Sequence, residues 1–176
     1  MRRGGQFGAM LLCCAMADAG GLYIGAGAGP QGGTLTEPDQ YNAVVDVGYI
    51  FYSGDWNRVE FDLGAGLTWL GSNEHKDAVY AFSLVPGLRF YFWNGETFRF
   101  YVMAAAGPTY LTESYLGNME LGGYFAFNDF VGVGIRFGEE DEWSATLGWR
   151  HISNAGLFRP NRGFDMPAYL LIGKTL

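Results

Sequence analysis

The chain has 176 residues and a net charge of −7; it is 49% apolar and 17% aromatic but only 16% charged, and it contains 28 glycines. So acidic a chain lacks the clustered Lys and Arg that neutralise phosphates, and so aromatic a chain is not a disordered one. No apolar run reaches the roughly 20 residues of a transmembrane helix, so any membrane reading has to rest on strands.

The chain begins with Arg2 and Arg3, then an apolar stretch from Phe7 to Ala17 that ends in Ala15-Met16-Ala17. A basic start, a short apolar core and an A-x-A end predict an export signal over residues 1–17, cut after Ala17. Both cysteines, Cys13 and Cys14, fall inside it, so the exported domain, 18–176, has no thiol for a disulfide, a metal or a nucleophile. Losing Arg2 and Arg3 leaves nine basic against eighteen acidic residues, a charge of −9. Gly27-Ala28-Gly29-Pro30-Gln31-Gly32 meets the letter of the dinucleotide fingerprint, but no helix opens after Gly32 and Pro30 interrupts the turn. These glycines fit a strand that bends within a small barrel.

Further along, the sequence alternates with period two. Arg58, Glu60, Asp62, Gly64, Gly66 and Thr68 interleave with Val59, Phe61, Leu63, Ala65, Leu67 and Trp69. Tyr80, Phe82, Leu84, Leu88 and Phe90 alternate in the same way with Ser83 and Arg89, and Phe98, Phe100 and Val102 with Arg99 and Tyr101. Such alternation predicts strands with one apolar and one polar face. The runs, of about 11 to 14 residues, exceed the usual 5 or 6 of globular strands and match a tilted membrane-spanning strand.

Eight candidate strands follow, over 20–30, 40–52, 57–70, 79–93, 97–110, 121–137, 142–153 and 164–175. Short connections at Ser53-Gly54-Asp55-Trp56, Asn94-Gly95-Glu96 and Gly138-Glu139-Glu140-Asp141 alternate with longer ones at 31–39, 71–78, 111–120 and 154–163. An even strand count with alternating short and long connections predicts an all-β fold, an eight-stranded antiparallel transmembrane β-barrel of the outer membrane, with both termini in the periplasm. A soluble barrel with its apolar faces turned inward is the competing arrangement. Arg58, Glu60, Asp62, Arg89, Arg99, Arg136 and Arg150 are easier to place as a paired network inside a narrow, filled barrel, which leaves no open channel. His75, in a polar loop, and the acidic run Glu139–Glu142 read as solvated segments without a metal-binding pattern.

The seventh strand places Trp143, Ala145, Leu147 and Trp149 on one face and Ser144, Thr146, Gly148 and Arg150 on the other. His151 and Ser153 continue the apolar parity, so two polar side chains extend the lipid-facing stripe at its outer-leaflet end. Residues two apart on a strand share a face at about 6 to 7 Å between Cα atoms. That spacing lets imidazole accept a hydroxyl proton, the base and nucleophile of ester hydrolysis. Two acids are candidates to orient the imidazole, Asp129 on the sixth strand and Asp165 at the start of the eighth, and parity does not choose between them. Asn154, with the backbone N–H groups of Ala155 and Gly156, is the expected oxyanion stabiliser. No metal or organic cofactor is expected.

His151-Ile152-Ser153-Asn154-Ala155-Gly156-Leu157, followed by Pro160-Asn161, Gly163 and Asp165, resembles the signature of the outer-membrane lipid A 3-O-deacylase family, the acyloxyacyl-hydrolase-type barrels. Phe127-Asn128-Asp129 and Gly132-Val133-Gly134 resemble that family's sixth strand, and the close match covers about the last 50 residues. The resemblance implies His151 as general base, Ser153 as nucleophile and Asp165 as the orienting acid, with Asn154 and Asn161 at positions associated with the site. The family typically has Glu where this chain has Asp165, a methylene shorter, which leaves room for Asp129 to share the work. Arg159 and Arg162 are expected to contact lipid A phosphates, or simply to be drawn to a polyanionic leaflet.

The implied partners are a lipid A or lipopolysaccharide substrate and the surrounding outer-membrane lipids. Pairing into a homodimer is left open. A larger, calcium-dependent family, the outer-membrane phospholipases A, shares the H-x-S-N segment, but 176 residues are too few for its barrel. The rival readings are thus an outer-membrane phospholipase and a small barrel without catalysis that serves adhesion, resistance or structure.

Overall fold

The computed structural model describes residues 20–31, 37–74 and 78–176. The expected export signal over residues 1–17 and the loop residue His75 lie outside these residues. Among the described residues ten strands form: β1 (Gly21–Gln31), β2 (Gln40–Trp56), β3 (Val59–Ser72), β4 (Val79–Asn94), β5 (Phe98–Leu111), β6 (Tyr115–Leu116), β7 (Met119–Glu120), β8 (Phe125–Phe137), β9 (Trp143–Ser153) and β10 (Phe164–Thr175). Eight of them close into one antiparallel barrel in the order β1-β10-β9-β8-β5-β4-β3-β2, and β6 and β7 form a separate two-stranded hairpin.

The barrel strands coincide closely with the alternating runs, with two differences. β2 continues to Trp56 and the chain reverses at Asn57 and Arg58, not at Ser53–Trp56. A bulge between Ile50 and Tyr52 keeps the longer strand paired, and Asn57 takes a φ of 61°, a left-handed conformation that Asn tolerates in tight turns. Arg58 is therefore an exposed turn residue and not part of the interior network. The second difference is at β8, which starts at Phe125 and not near 121. Gly122 and Gly123, with φ of 80° and 147°, break the extended chain, and the β6–β7 hairpin occupies the stretch read as loop.

Leu22, Ile24, Val45, Leu84, Val133, Leu147 and Leu170 all point outward and are exposed. Aromatic side chains ring both ends of this apolar band. Trp56, Phe92, Trp93, Phe98 and Trp143 lie at the end with tight turns, and Tyr41, Trp69, Tyr80, Tyr110 and Phe125 at the end with long loops. A wall that is apolar outside, flanked by aromatic belts and charged inside is the wall of a membrane-spanning barrel. The soluble arrangement, with apolar faces turned inward, is overturned.

Inside, charge is neutralised in two clusters. Near the long-loop end, Asp46 accepts from Arg150, Thr68 and Tyr169, and Arg150 also donates to Asn128 (2.9 Å) and to Thr68 (3.0 Å). Near the tight-turn end, Glu60 accepts from Arg89 (2.8 Å), Arg136 (2.5 Å) and Tyr91 (2.5 Å), while Arg89 also pairs with Asp62. Arg99 is half-buried, paired with Asp141 at 3.1 Å. Buried charges persist only when paired and hydrogen-bonded in this way. Small inward residues make room for the large ones: a Cβ at Gly48 would lie 2.2 Å from the Tyr23 ring.

The lumen is filled. Small cavities remain, about 70 Å³ between the clusters and about 170 Å³ beside Glu60, Tyr91 and Arg136 at the tight-turn end, as in an eight-stranded barrel whose side chains fill the interior. The β6–β7 hairpin covers the mouth with buried Leu116, Met119 and Leu121, and Gln40 holds it by accepting from Asn118 N–H (3.0 Å) and donating to Leu116 C=O (3.1 Å).

Candidate active site

β9 alternates strictly towards its end, at the long-loop rim of the barrel. Leu147, 59% exposed, and Trp149 face out, while Thr146, Arg150 and Ile152 face in and are buried. Arg150 and Ile152 tie this end of β9 to the interior, so His151 between them and Ser153 just beyond Ile152 fall on the outer wall. β10 begins opposite, where buried Phe164 pairs with Ile152 and Asp165 pairs with His151. On the other side of β9, Asp129 of β8 also pairs with His151. Both acids thus occupy the flanking positions that parity allows.

The imidazole turns towards β10. His151 Nδ1 lies 2.9 Å from Asp165 Oδ1, and Nε2 lies 2.8 Å from Ser153 Oγ. An ionised carboxylate only accepts, so Nδ1–H donates to Asp165, and the Nε2 lone pair accepts the Ser153 hydroxyl proton. The His151 and Asp165 side chains are 25% and 43% exposed, so the pair is reachable from outside the wall. The Trp149 indole stacks on the imidazole, with centroids 5.3 Å apart and rings 19° from parallel. This contact was legible, since Trp149 and His151 share a face two residues apart, but the indole reads from the sequence only as part of the apolar stripe.

Gly163 is the second residue without an assigned role. A Cβ there would lie 2.6 Å from both His151 Cε1 and Ser153 Cβ, closer than carbon atoms approach, so the dyad needs a glycine at this position.

Asn154 departs from expectation. It is 1% exposed, because the parity that sends Ser153 outward sends the next residue inward. Its Nδ2 donates to the carbonyls of Leu121 (3.0 Å) and Phe158 (3.2 Å), and its Oδ1 accepts from Gly156 N–H (2.9 Å). The Asn154 amide and the Gly156 N–H are therefore committed to knotting the 154–163 loop and do not face the dyad. Ala155, at a φ of 52°, is exposed at the tip of that knot.

A polar cleft of about 710 Å³ opens beside the dyad. His151, Gly163 and Asp165 line one side, Asn161 and Arg162 come from the loop, and Asp39, Gln40, Asn118 and Met119 come from the start of β2 and the β6–β7 hairpin. Asn161 and Arg162 thus reach the same space as the imidazole, while Arg159 is exposed on the loop outside this lining. Among the described residues no group of three or more metal-ligating side chains comes together.

The family model described as lipid A 3-O-deacylase (PagL) matches residues 40–170. The lipid A deacylase PagL of Bordetella bronchiseptica is 31% identical over 117 residues, 65% of this chain and 62% of that protein. The protein of the same name from Pseudomonas aeruginosa is 27% identical over 103 residues, 57% of each chain. The matched stretches thus span about three fifths of these relatives' own length. Among solved structures, the outer membrane enzyme PagL superposes with a TM-score of 0.63 at 18% identity, covering 88% of this chain and 99% of that one. Neisserial surface protein A gives 0.54 at 11% identity, covering 91% and 98%. These likenesses carry the barrel fold, and the family match extends over most of the chain and across the dyad, so the chain belongs to the lipid A 3-O-deacylase (PagL) family of outer-membrane barrels.

Proposed function

We propose that this protein is a serine esterase that removes the 3-O-linked hydroxyacyl chain from lipid A at the outer leaflet. The observation that carries the reading is a Ser153–His151–Asp165 hydrogen-bond chain on the lipid-facing wall, where an insoluble ester arrives by lateral diffusion. His151 Nε2 takes the Ser153 proton as Oγ attacks the acyl carbonyl carbon. The tetrahedral intermediate collapses, His151 returns the proton to the departing sugar oxygen, and the acyl group remains as an ester on Ser153. Water, deprotonated by His151, then attacks that ester, and His151 returns the proton to Ser153 Oγ as the hydroxy fatty acid departs, which restores the free serine. Asp165 holds the imidazole in the required tautomer and stabilises the imidazolium.

The oxyanion needs donors that the rest of the fold has not claimed. Asn161, which lines the cleft, and the N–H of exposed Ala155 meet that condition better than Asn154. Arg162, also in the cleft, is placed to meet an anionic head group, with Arg159 further out on the same loop. Asp129 lies beside the dyad as support and not as the orienting acid.

The test is mass spectrometry of lipid A and phospholipids from a Gram-negative host expressing the wild type or Ser153→Ala. The expected result is lipid A lighter by one hydroxyacyl group with the wild type alone. Unchanged lipid A with fatty-acid release from phosphatidylethanolamine would make it a phospholipase, and no change in either lipid, with folded barrel in the membrane, a barrel without catalysis. Gly163→Ala is expected to lower turnover by about 100-fold, because the added Cβ displaces the dyad by a fraction of an ångström to an ångström, with a modest loss of stability from the crowding. Turnover within a few-fold of wild type would contradict the close approach at this position.

A further inference from the structure

The β1–β10 ladder ends at Ala28 and Ala168. Pro30 and Pro167 supply no N–H to extend it, and Gly29 already abuts the Pro167 ring. Beyond this point the first residues of β10 form no ladder pair with β1 among the described residues. The side chain of Gln31, the last residue of β1, occupies the gap. Asp165 N–H donates to Gln31 Oε1 at 2.9 Å, and Gln31 Nε2 donates to Gly163 C=O at 3.2 Å. A carboxamide has the donor and acceptor of a peptide group, and the N–H of one residue and the C=O of the residue two before it face the same edge of a strand. Gln31 therefore replaces one missing rung.

The two residues it grips set the geometry of the dyad. Asp165 presents the carboxylate to His151 Nδ1, and Gly163 leaves the space in which His151 and Ser153 meet. Aspartate has one methylene between backbone and carboxylate, so there is little slack. If the start of β10 drifts outward by about an ångström, the 2.9 Å contact leaves hydrogen-bond range.

We propose that Gln31 is a positioning residue whose carboxamide holds the start of β10 where the short Asp165 side chain reaches His151. The proposal rests on the esterase reading above, and its test separates the two. Wild type, Gln31→Met, Asp165→Glu and the double variant are purified as folded barrels in detergent and assayed on lipid A, with Ser153→Ala alongside. Gln31→Met keeps length and volume but neither hydrogen bond, and it is expected to lower kcat by about 10- to 100-fold with KM within about twofold. Asp165→Glu, one methylene longer, is expected not to raise kcat in the wild type but to raise it about tenfold in the Gln31→Met background, where the longer side chain regains the imidazole. A role confined to holding the barrel together does not produce that reversal. Gln31→Glu, which keeps only the acceptor for Asp165 N–H, is expected to fall between wild type and Gln31→Met.

Three results overturn the proposal: a Gln31→Met kcat within twofold of wild type, a raised KM at unchanged kcat, which would make Gln31 a substrate contact, or an Asp165→Glu effect that is the same in both backgrounds. Wild-type turnover by Ser153→Ala would instead remove the esterase reading on which the proposal stands.

Discussion

Ser153→Ala is expected to lower lipid A turnover by about 10⁴- to 10⁶-fold, the range in which loss of a serine nucleophile collapses acyl transfer. The barrel should survive intact, because Ser153 projects outward at the end of β9 while the neighbouring anchor, Ile152, stays buried facing the barrel interior. Purified protein in detergent should keep its heat-dependent gel mobility and its denaturant midpoint while losing kcat. A variant that unfolds and one that folds but does not turn over are distinguished in the same preparation.

Asp165→Asn carries the second large effect, a loss of about 10⁴-fold in kcat. An amide can present its N–H to Nδ1, which then accepts and drives the ring proton to Nε2, where it blocks the lone pair that must take the Ser153 proton. Asp129→Asn is expected to cost less than about tenfold, since the Nδ1 bond goes to Asp165. Steady-state kinetics of the two variants side by side decide the matter. A larger loss from Asp129→Asn would move the orienting role to β8.

Where the chemistry is local, the sequence was readable. Period-two alternation marked most of the barrel strands, because on a barrel wall each outward side chain meets lipid and each inward one meets the packed lumen, but it was ambiguous in β10, where a register shift between Met166 and Tyr169 breaks the parity. The same parity placed His151 and Ser153 outward, and if carried one residue further it places Asn154 inward. The strand end at Trp56 was not legible, since a bulge two thirds of the way along β2 shifts the pairing without altering the composition of the run. The choice between Asp129 and Asp165 was not legible either. Both are cross-strand neighbours of His151 on the same face, and only the rotamer of the imidazole separates them. The Gln31 contact joins residues 134 apart in the chain, and its origin, two prolines that interrupt a ladder, shows only once the register is known.

In the proposed reaction an outward-facing serine on the barrel wall carries the acyl group between the two half-reactions. The most direct test of this step is peptide mass spectrometry of enzyme quenched in acid during turnover of lipid A. A single hydroxyacyl adduct is expected on Ser153 of the wild type, and none in Ser153→Ala. An adduct on another residue, or steady deacylation by Ser153→Ala with no adduct at all, would contradict it.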